Sequence, residues 1–160
     1  MFTISASRKL GRRKALLSLT LNENHRRISA SSKEIFKAFE NSSLLTKWWR
    51  PEGFTTTSIT FEFKPEGIWK SVMHGPDGKS YPNEMVFKEI VAPNKIVIRH
   101  SVEPYFTLTV TVEDTEGGAI INWHQDFDNE EVARNIAHIV KPANEQILKK
   151  LQAVVASNLF

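Results

Sequence analysis

His100 closes the alternating stretch from Lys95 to His100, in which Arg99 belongs to water and Ile96, Ile98 and His100 therefore share the opposite, apolar face. An imidazole among apolar walls can polarise a carbonyl, or can simply be hydrogen-bonded at a strand end. Glu89 follows from the same alternation one stretch earlier. With Lys88 outward, Met85, Phe87 and Glu89 fall on one inward face, where a desolvated carboxylate is a base, an anchor for a ligand hydroxyl, or a partner for Arg50 or His100. Neither acid–base candidate comes with a catalytic frame. His25, His74, His124 and His138 are widely spaced, no H-E-x-x-H occurs, and His124 with Asp126 is only a same-face strand pair, so no metal centre is expected. Cysteine is absent, which excludes disulfides, thiolate zinc sites and a cysteine nucleophile. G-x-S-x-G, the P-loop and G-x-G-x-x-G are absent too, so hydrolase, nucleotide and dinucleotide chemistry lack support and no cofactor is expected. Binding is the expectation, ahead of turnover.

The aromatic and sulfur side chains give that binding its material. Trp69, Ser71 and Met73 alternate against Lys70, and Met85 and Phe87 alternate against Lys88. Phe106, Leu108, Val110 and Val112 form a third inward series, with Ile121, Trp123, Gln125 and Phe127 beside it. Trp48 and Trp49 are adjacent, so on a helix they point about 100° apart and divide between core and rim. Ile147 and Leu151 supply the facing helix. The residues expected to touch an apolar ligand are therefore Trp49, Trp69, Met73, Met85, Phe87, Phe106, Trp123, Phe127, Ile147 and Leu151.

The elements that must hold these residues follow from periodicity and punctuation. A first strand is expected from Leu17 to about Ile28, then a helix capped by Ser31 with Glu34 three residues on, then a short helix from Ser42 to Trp49 ended by Pro51 and Gly53. Strands follow from Phe54 to Phe63, from Trp69 to His74, over 84–91, 95–100, 106–113 and 119–127, separated by Lys64-Pro65-Glu66-Gly67, Gly75-Pro76-Asp77-Gly78, Pro93-Asn94, Pro104 and Glu116-Gly117-Gly118. The last thirty residues return to helical spacing, and Pro142 predicts a kink or a main helix that begins there. The order is α+β: a curved antiparallel sheet of about seven strands around a long C-terminal helix, with two short helices after the first strand. A sheet that curves this way leaves a space beneath the helix for large side chains or for a ligand.

Size and charge agree with one domain. The chain has 160 residues, 41% of them hydrophobic, and a formal charge of +3. Arg8, Lys9, Arg12, Arg13 and Lys14 precede the first acid; without them 16 basic residues stand against 18 acidic ones. Residues 1–14 are thus expected to be a basic tail and 15–160 a single domain. The tail holds no residue pattern for stacking on bases, so nucleic acid is not an expected partner. The longest apolar-rich stretch, Ala15 to Leu21, is far short of the ~20 residues that span a bilayer, so no membrane contact is expected and the cytoplasm is the default location. A monomer and a homodimer are equally compatible with these features.

Four blocks carry a family resemblance: Leu45-Thr46-Lys47-Trp48-Trp49-Arg50-Pro51-Glu52-Gly53-Phe54-Thr55, Gly67-Ile68-Trp69, Met73-His74-Gly75-Pro76-Asp77-Gly78, and Tyr81-Pro82-Asn83-Glu84. They resemble the activator of heat-shock protein 90 ATPase homologues, a branch of the START-like or SRPBCC superfamily with the helix-grip (Bet v-like) fold, and the likeness runs from about Leu17 to Leu151. The resemblance implies a cavity for a small hydrophobic ligand, a lipid among the options, between sheet and terminal helix. It also implies two alternatives: a cyclase- or dehydratase-type enzyme using Glu89 or His100, and a stress-response protein that contacts heat-shock protein 90. The eukaryotic activators that resemble this domain carry a separate N-terminal domain for which this chain is expected to have no room, and Ser29-Ala30-Ser31 stands where the family usually has a proline.

Overall fold

The computed structural model describes residues 23–157; the basic segment 1–14 and the expected start of the first strand at Leu17 lie outside them. In chain order the elements are β1 (Glu23–Ile28), α1 (Ser32–Glu40), α2 (Ser42–Trp48), β2 (Thr55–Phe61), β3 (Ile68–His74), β4 (Ser80–Val91), β5 (Lys95–His100), β6 (Phe106–Thr115), β7 (Gly118–Phe127) and α3 (Glu130–Ala156). The seven strands form one antiparallel sheet in the order β1-β7-β6-β5-β4-β3-β2. Consecutive hairpins build all of it except the β1–β7 pairing, which brings the first described strand back beside the last.

Local chemistry sets the helix ends. The Ser31 hydroxyl accepts from Glu34 N–H at 3.2 Å, and Asp114 on β6 accepts from both the N–H and the hydroxyl of Ser32, which fixes the start of α1 to the sheet. Asn41 then caps α2 by accepting from the N–H groups of Ser43 and Leu44. Gly53, at φ +81°, turns the chain out of α2 in a conformation that glycine adopts without strain. Asn129 caps α3 in the same way as Asn41 caps α2.

Three sequence expectations need correction. Pro142 neither starts the last helix nor divides it: α3 is continuous over 27 residues. Pro142 removes the N–H that the His138 carbonyl would accept, but both residues are exposed, which leaves that carbonyl open to solvent. β4 begins at Ser80 rather than at Glu84, because Tyr81, Pro82 and Asn83 pair with β3 beyond the end of β5, where a strand with a neighbour on one side only tolerates proline. Glu89 does not face inward. A β-bulge between Phe87 and Glu89 makes Lys88 an extra residue, so that Lys88 and Glu89 are both exposed and Glu89 pairs with Lys95 at 3.3 Å. A second bulge, between Ser58 and Thr60, leaves Ile59 66% exposed.

The core fills the hollow of the sheet with rings. Trp48 is fully buried, packs edge-on against Phe39 at 4.8 Å, and donates its indole N–H to the Ala38 carbonyl at 3.0 Å. Trp49, just past α2, joins the helices to the sheet, with ring centroids 5.2 Å from Trp69 and 4.9 Å from Trp123. The C-terminal half of α3 sits tightly on this cluster through Leu148, Leu151 and Val155. Polar bonds clamp it on both flanks. Asn24 of β1 donates to Glu145 and to the Lys141 carbonyl, and Arg26 donates to Gln152. On the other flank, Glu52 N–H donates to Gln146 and Lys150 donates to the Pro51 carbonyl. Trp48→Ala is therefore expected to lower the unfolding free energy by about 3–5 kcal/mol, whereas Glu89→Gln changes it by less than about 0.5 kcal/mol; urea unfolding of both variants checks the contrast.

Candidate functional site

Strand register brings the inward residues into rows that cross the sheet. One row runs Phe61, Trp69, Met85, His100, Phe106, Phe127 from β2 to β7, and the next contains Phe87, Ile98, Leu108 and Gln125. Because the side-chain period is two, each row is a band on the concave face. α3 lies opposite, and its two halves differ. Ile147, Leu148, Leu151 and Val155 are buried, while Val132, Ile136 and Val140 are only half-buried and Ile139 is 61% exposed.

Under the less tightly packed half lies a cavity of about 270 Å³, roughly nine times the ~30 Å³ share of one water. The sheet contributes Met73, Met85, Phe106, Leu108, Trp123 and Phe127 to its wall; α3 contributes Ile136, Ile139, Val140, Ala143 and Ile147; Trp49, Pro51 and Pro104 complete the apolar part. Four polar residues interrupt it: Asn83, His100, Gln125 and Asn144. No Lys, Arg, Asp or Glu lines it. A larger hollow of about 550 Å³ adjoins it, between the Glu103–Tyr105 loop and the start of α3, and Pro104, Phe127 and Ile136 line both. Arg99 borders this side by gripping Asp128 through two hydrogen bonds of 2.6 Å, which holds the Asp128 carboxyl below the usual carboxylate range.

Seven of the ten residues expected at a ligand lie in the cavity wall: Trp49, Met73, Met85, Phe106, Trp123, Phe127 and Ile147. The other three are placed differently. Trp69, Phe87 and Leu151 are almost fully buried in the packed core and do not reach the wall. Sequence reasoning missed Asn83 and Asn144. Asn144 falls in helical step with Val140, Ile147 and Leu151 and was passed over as polar in an apolar stripe; Asn83 was hidden by the late start assigned to its strand.

His100 is buried and turned inward as the alternation requires, stacked on Phe106 with ring centroids 4.4 Å apart and planes 8° from parallel. Its ring nitrogens are both engaged. Nδ1 lies 2.8 Å from the Pro104 carbonyl and Nε2 2.9 Å from the Asn83 carboxamide oxygen. A carbonyl cannot donate, so Nδ1 carries a proton, while the Asn83 carboxamide donates its own N–H to the Tyr81 carbonyl and turns its oxygen toward Nε2. Burial pushes the imidazole pKa below its ordinary value, against the bonds to the loop carbonyls. Across the wall, Asn144 donates to the Gln125 carboxamide oxygen at 2.9 Å, a bond between two buried amides. Among the described residues no cluster of His, Cys, Asp or Glu could hold a metal ion, and no helix is long and apolar enough to cross a membrane.

A seven-stranded antiparallel sheet closed by a long terminal helix, with two short helices after the first strand, defines the helix-grip class of α+β proteins. Residues 29–156 match the family model described as activator of Hsp90 ATPase homolog 1-like protein, and the chain belongs to that family. Among solved structures, a protein from Nitrosomonas europaea is similar at a TM-score of 0.78 and 15% identity, covering 84% of this chain and 93% of that one. A protein from Arthrobacter aurescens is similar at 0.76 and 22%, covering 86% of each chain. A Silicibacter pomeroyi protein that bears the AHSA1 family name is similar at 0.68 and 19%, covering 84% of this chain and 96% of its own. These similarities establish the fold. No curated protein matches the sequence.

The protonation of His100 leads to a pH prediction. Its pKa is lower in the folded chain than the ordinary 6.5, so the unfolded chain binds more protons as pH falls through that value and the folded state is progressively destabilised. Stability that is complete above pH 6.5 is lost as pH falls toward the folded pKa. In His100→Gln this share of the decline disappears, which urea unfolding at stepped pH measures as a flatter profile.

Proposed function

We propose that this protein binds a small hydrophobic molecule, held between the concave face of the sheet and α3. The observation that carries the reading is a solvent-connected cavity of about 270 Å³, whose wall is apolar except for four uncharged polar side chains and which adjoins a second hollow of about 550 Å³. Wall groups of this kind fix the orientation of an apolar guest without supplying chemistry. The acid–base alternative is weaker: Glu89 is outside, paired with Lys95, and His100 alone remains, with both nitrogens hydrogen-bonded. Family membership also supports a second reading, contact with the chaperone heat-shock protein 90, which a pull-down with the full chain tests. In the same reading residues 15–160 act as one domain behind a basic tail, in the cytoplasm and without a cofactor.

Protein purified from its own host and sprayed under native conditions is expected to carry, or to take up on addition, an apolar compound. Ala143→Phe projects a ring from α3 into the cavity and is expected to weaken binding of the neutral fluorophore N-phenyl-1-naphthylamine about tenfold or more, with little change in melting temperature. Unchanged fluorophore affinity in a folded Ala143→Phe variant would mean that the fluorophore binds elsewhere.

A further inference from the structure

Resting on the ligand-binding reading, we infer that the guest carries an uncharged group that both donates and accepts a hydrogen bond, a carboxamide being the simplest, and that the Gln125–Asn144 pair receives it. The pair joins the two sides of the cavity wall, Gln125 from β7 and Asn144 from α3. Two observations support this assignment.

The first is what the pair leaves over. Gln125 and Asn144 are 8% and 7% exposed, and both line the cavity. Their mutual bond runs from the Asn144 carboxamide nitrogen to the Gln125 oxygen at 2.9 Å. The Gln125 N–H pair and the Asn144 oxygen then have no partner among the described residues. A donor and an acceptor are therefore left, one from each element. Turning both amides over exchanges their roles and still leaves one of each.

The second observation is that these two atoms are open. Among the described residues, the polar side-chain atoms that the fold seals away without a partner are Asn24 Oδ1, Arg50 Nε, Trp69 Nε1, Thr115 Oγ1 and Trp123 Nε1. Gln125 Nε2 and Asn144 Oδ1, equally without a partner, are not among them and so keep accessible surface, on residues that form the cavity wall. Along β7, Trp123 and Phe127 flank Gln125 on the same face, and along α3, Val140 and Ile147 lie one turn to either side of Asn144, so the rest of the guest meets apolar surface. A guest that only accepts, such as a ketone, satisfies the Gln125 nitrogen and leaves the Asn144 oxygen bare. A buried polar group without a partner destabilises the complex, which favours a guest with both a donor and an acceptor over its one-sided analogue.

The test uses the full chain and two probes, hexanamide and 2-heptanone, in which a methyl group stands where the amide has its NH2. Where nothing accepts the NH2 protons, the ketone binds more tightly by about tenfold or more; with the pair engaged, hexanamide is expected to bind at least as tightly as the ketone. The double variant Gln125→Leu/Asn144→Leu replaces both partners by apolar side chains and is expected to fold; in it the order reverses, the ketone leading by about tenfold or more. Nitrogen-15 spectra of the native chain are expected to show the Gln125 and Asn144 carboxamide signals moving with hexanamide. A ketone that binds the native chain more tightly, or a ratio of affinities that the double variant leaves unchanged, would overturn the inference and leave the ligand-binding reading intact. Hexanamide that moves the Met73 and Met85 methyl signals but neither carboxamide would overturn it too, without recourse to a variant. If neither probe moves those methyl signals, both the inference and the reading beneath it fall.

Discussion

An α-helix laid across a curved antiparallel sheet touches it closely along only part of its length, because sheet curvature accumulates from strand to strand. α3, 27 residues or about 40 Å long, makes its close contact through the C-terminal half, where Leu148, Leu151 and Val155 meet the rings of the core. The clamps from β1 and from the loop after α2 hold that same half at Glu145, Gln146, Lys150 and Gln152, and reach the middle of the helix at Lys141. In the N-terminal half only the small side chain of Ala133 is buried, and the cavity lies beneath the stretch from Ile136 to Ile147. The indoles of Trp49 and Trp123 fill the middle of the hollow and form the inner limit of the cavity. Packing and vacancy are thus consequences of one geometry.

The polar groups of the wall follow from a second constraint: a buried polar atom has to be satisfied. Gln125 and Asn144 answer one another across the gap between sheet and helix, and His100 is held from two sides by the Pro104 loop and Asn83. These bonds orient donors and acceptors rigidly in a space with no formal charge. They tie the Pro104 loop, which separates the inner cavity from the outer hollow, to the sheet itself. The mouth of the cavity and the buried imidazole of His100 are mechanically the same place.

Much of this arrangement was legible in the sequence, because period-two alternation fixed which face each strand turns inward. Trp123, Gln125 and Phe127 could be placed on one wall without a structure, and so could Phe106 with Leu108 and His100 with Ile98. The four motif blocks identified the fold class from side-chain identity where periodicity alone stopped at α+β. What escaped were places where backbone geometry breaks the pattern. The bulge at Lys88 reversed the expected direction of Glu89, since one unpaired residue resets the alternation and no side chain announces it. Pro142 was read as a boundary, yet it lies on the exposed side of α3, where the carbonyl left without its N–H is open to solvent. Asn144 and Asn83 escaped because a polar residue on an apolar stripe looks like an interruption until its partner across the cavity is visible.

The central claim is that open, apolar volume lies between the sheet and the N-terminal half of α3. Two of the chain's three methionines, Met73 and Met85, line that volume, and the third is Met1. The most direct measurement is the carbon-13 ε-methyl spectrum of the full chain with and without dissolved xenon, an uncharged sphere that enters dry cavities regardless of ligand identity. Saturable shifts of the Met73 and Met85 methyls are the predicted result; methyls that stay fixed as xenon pressure rises would show the interior closed and contradict the account.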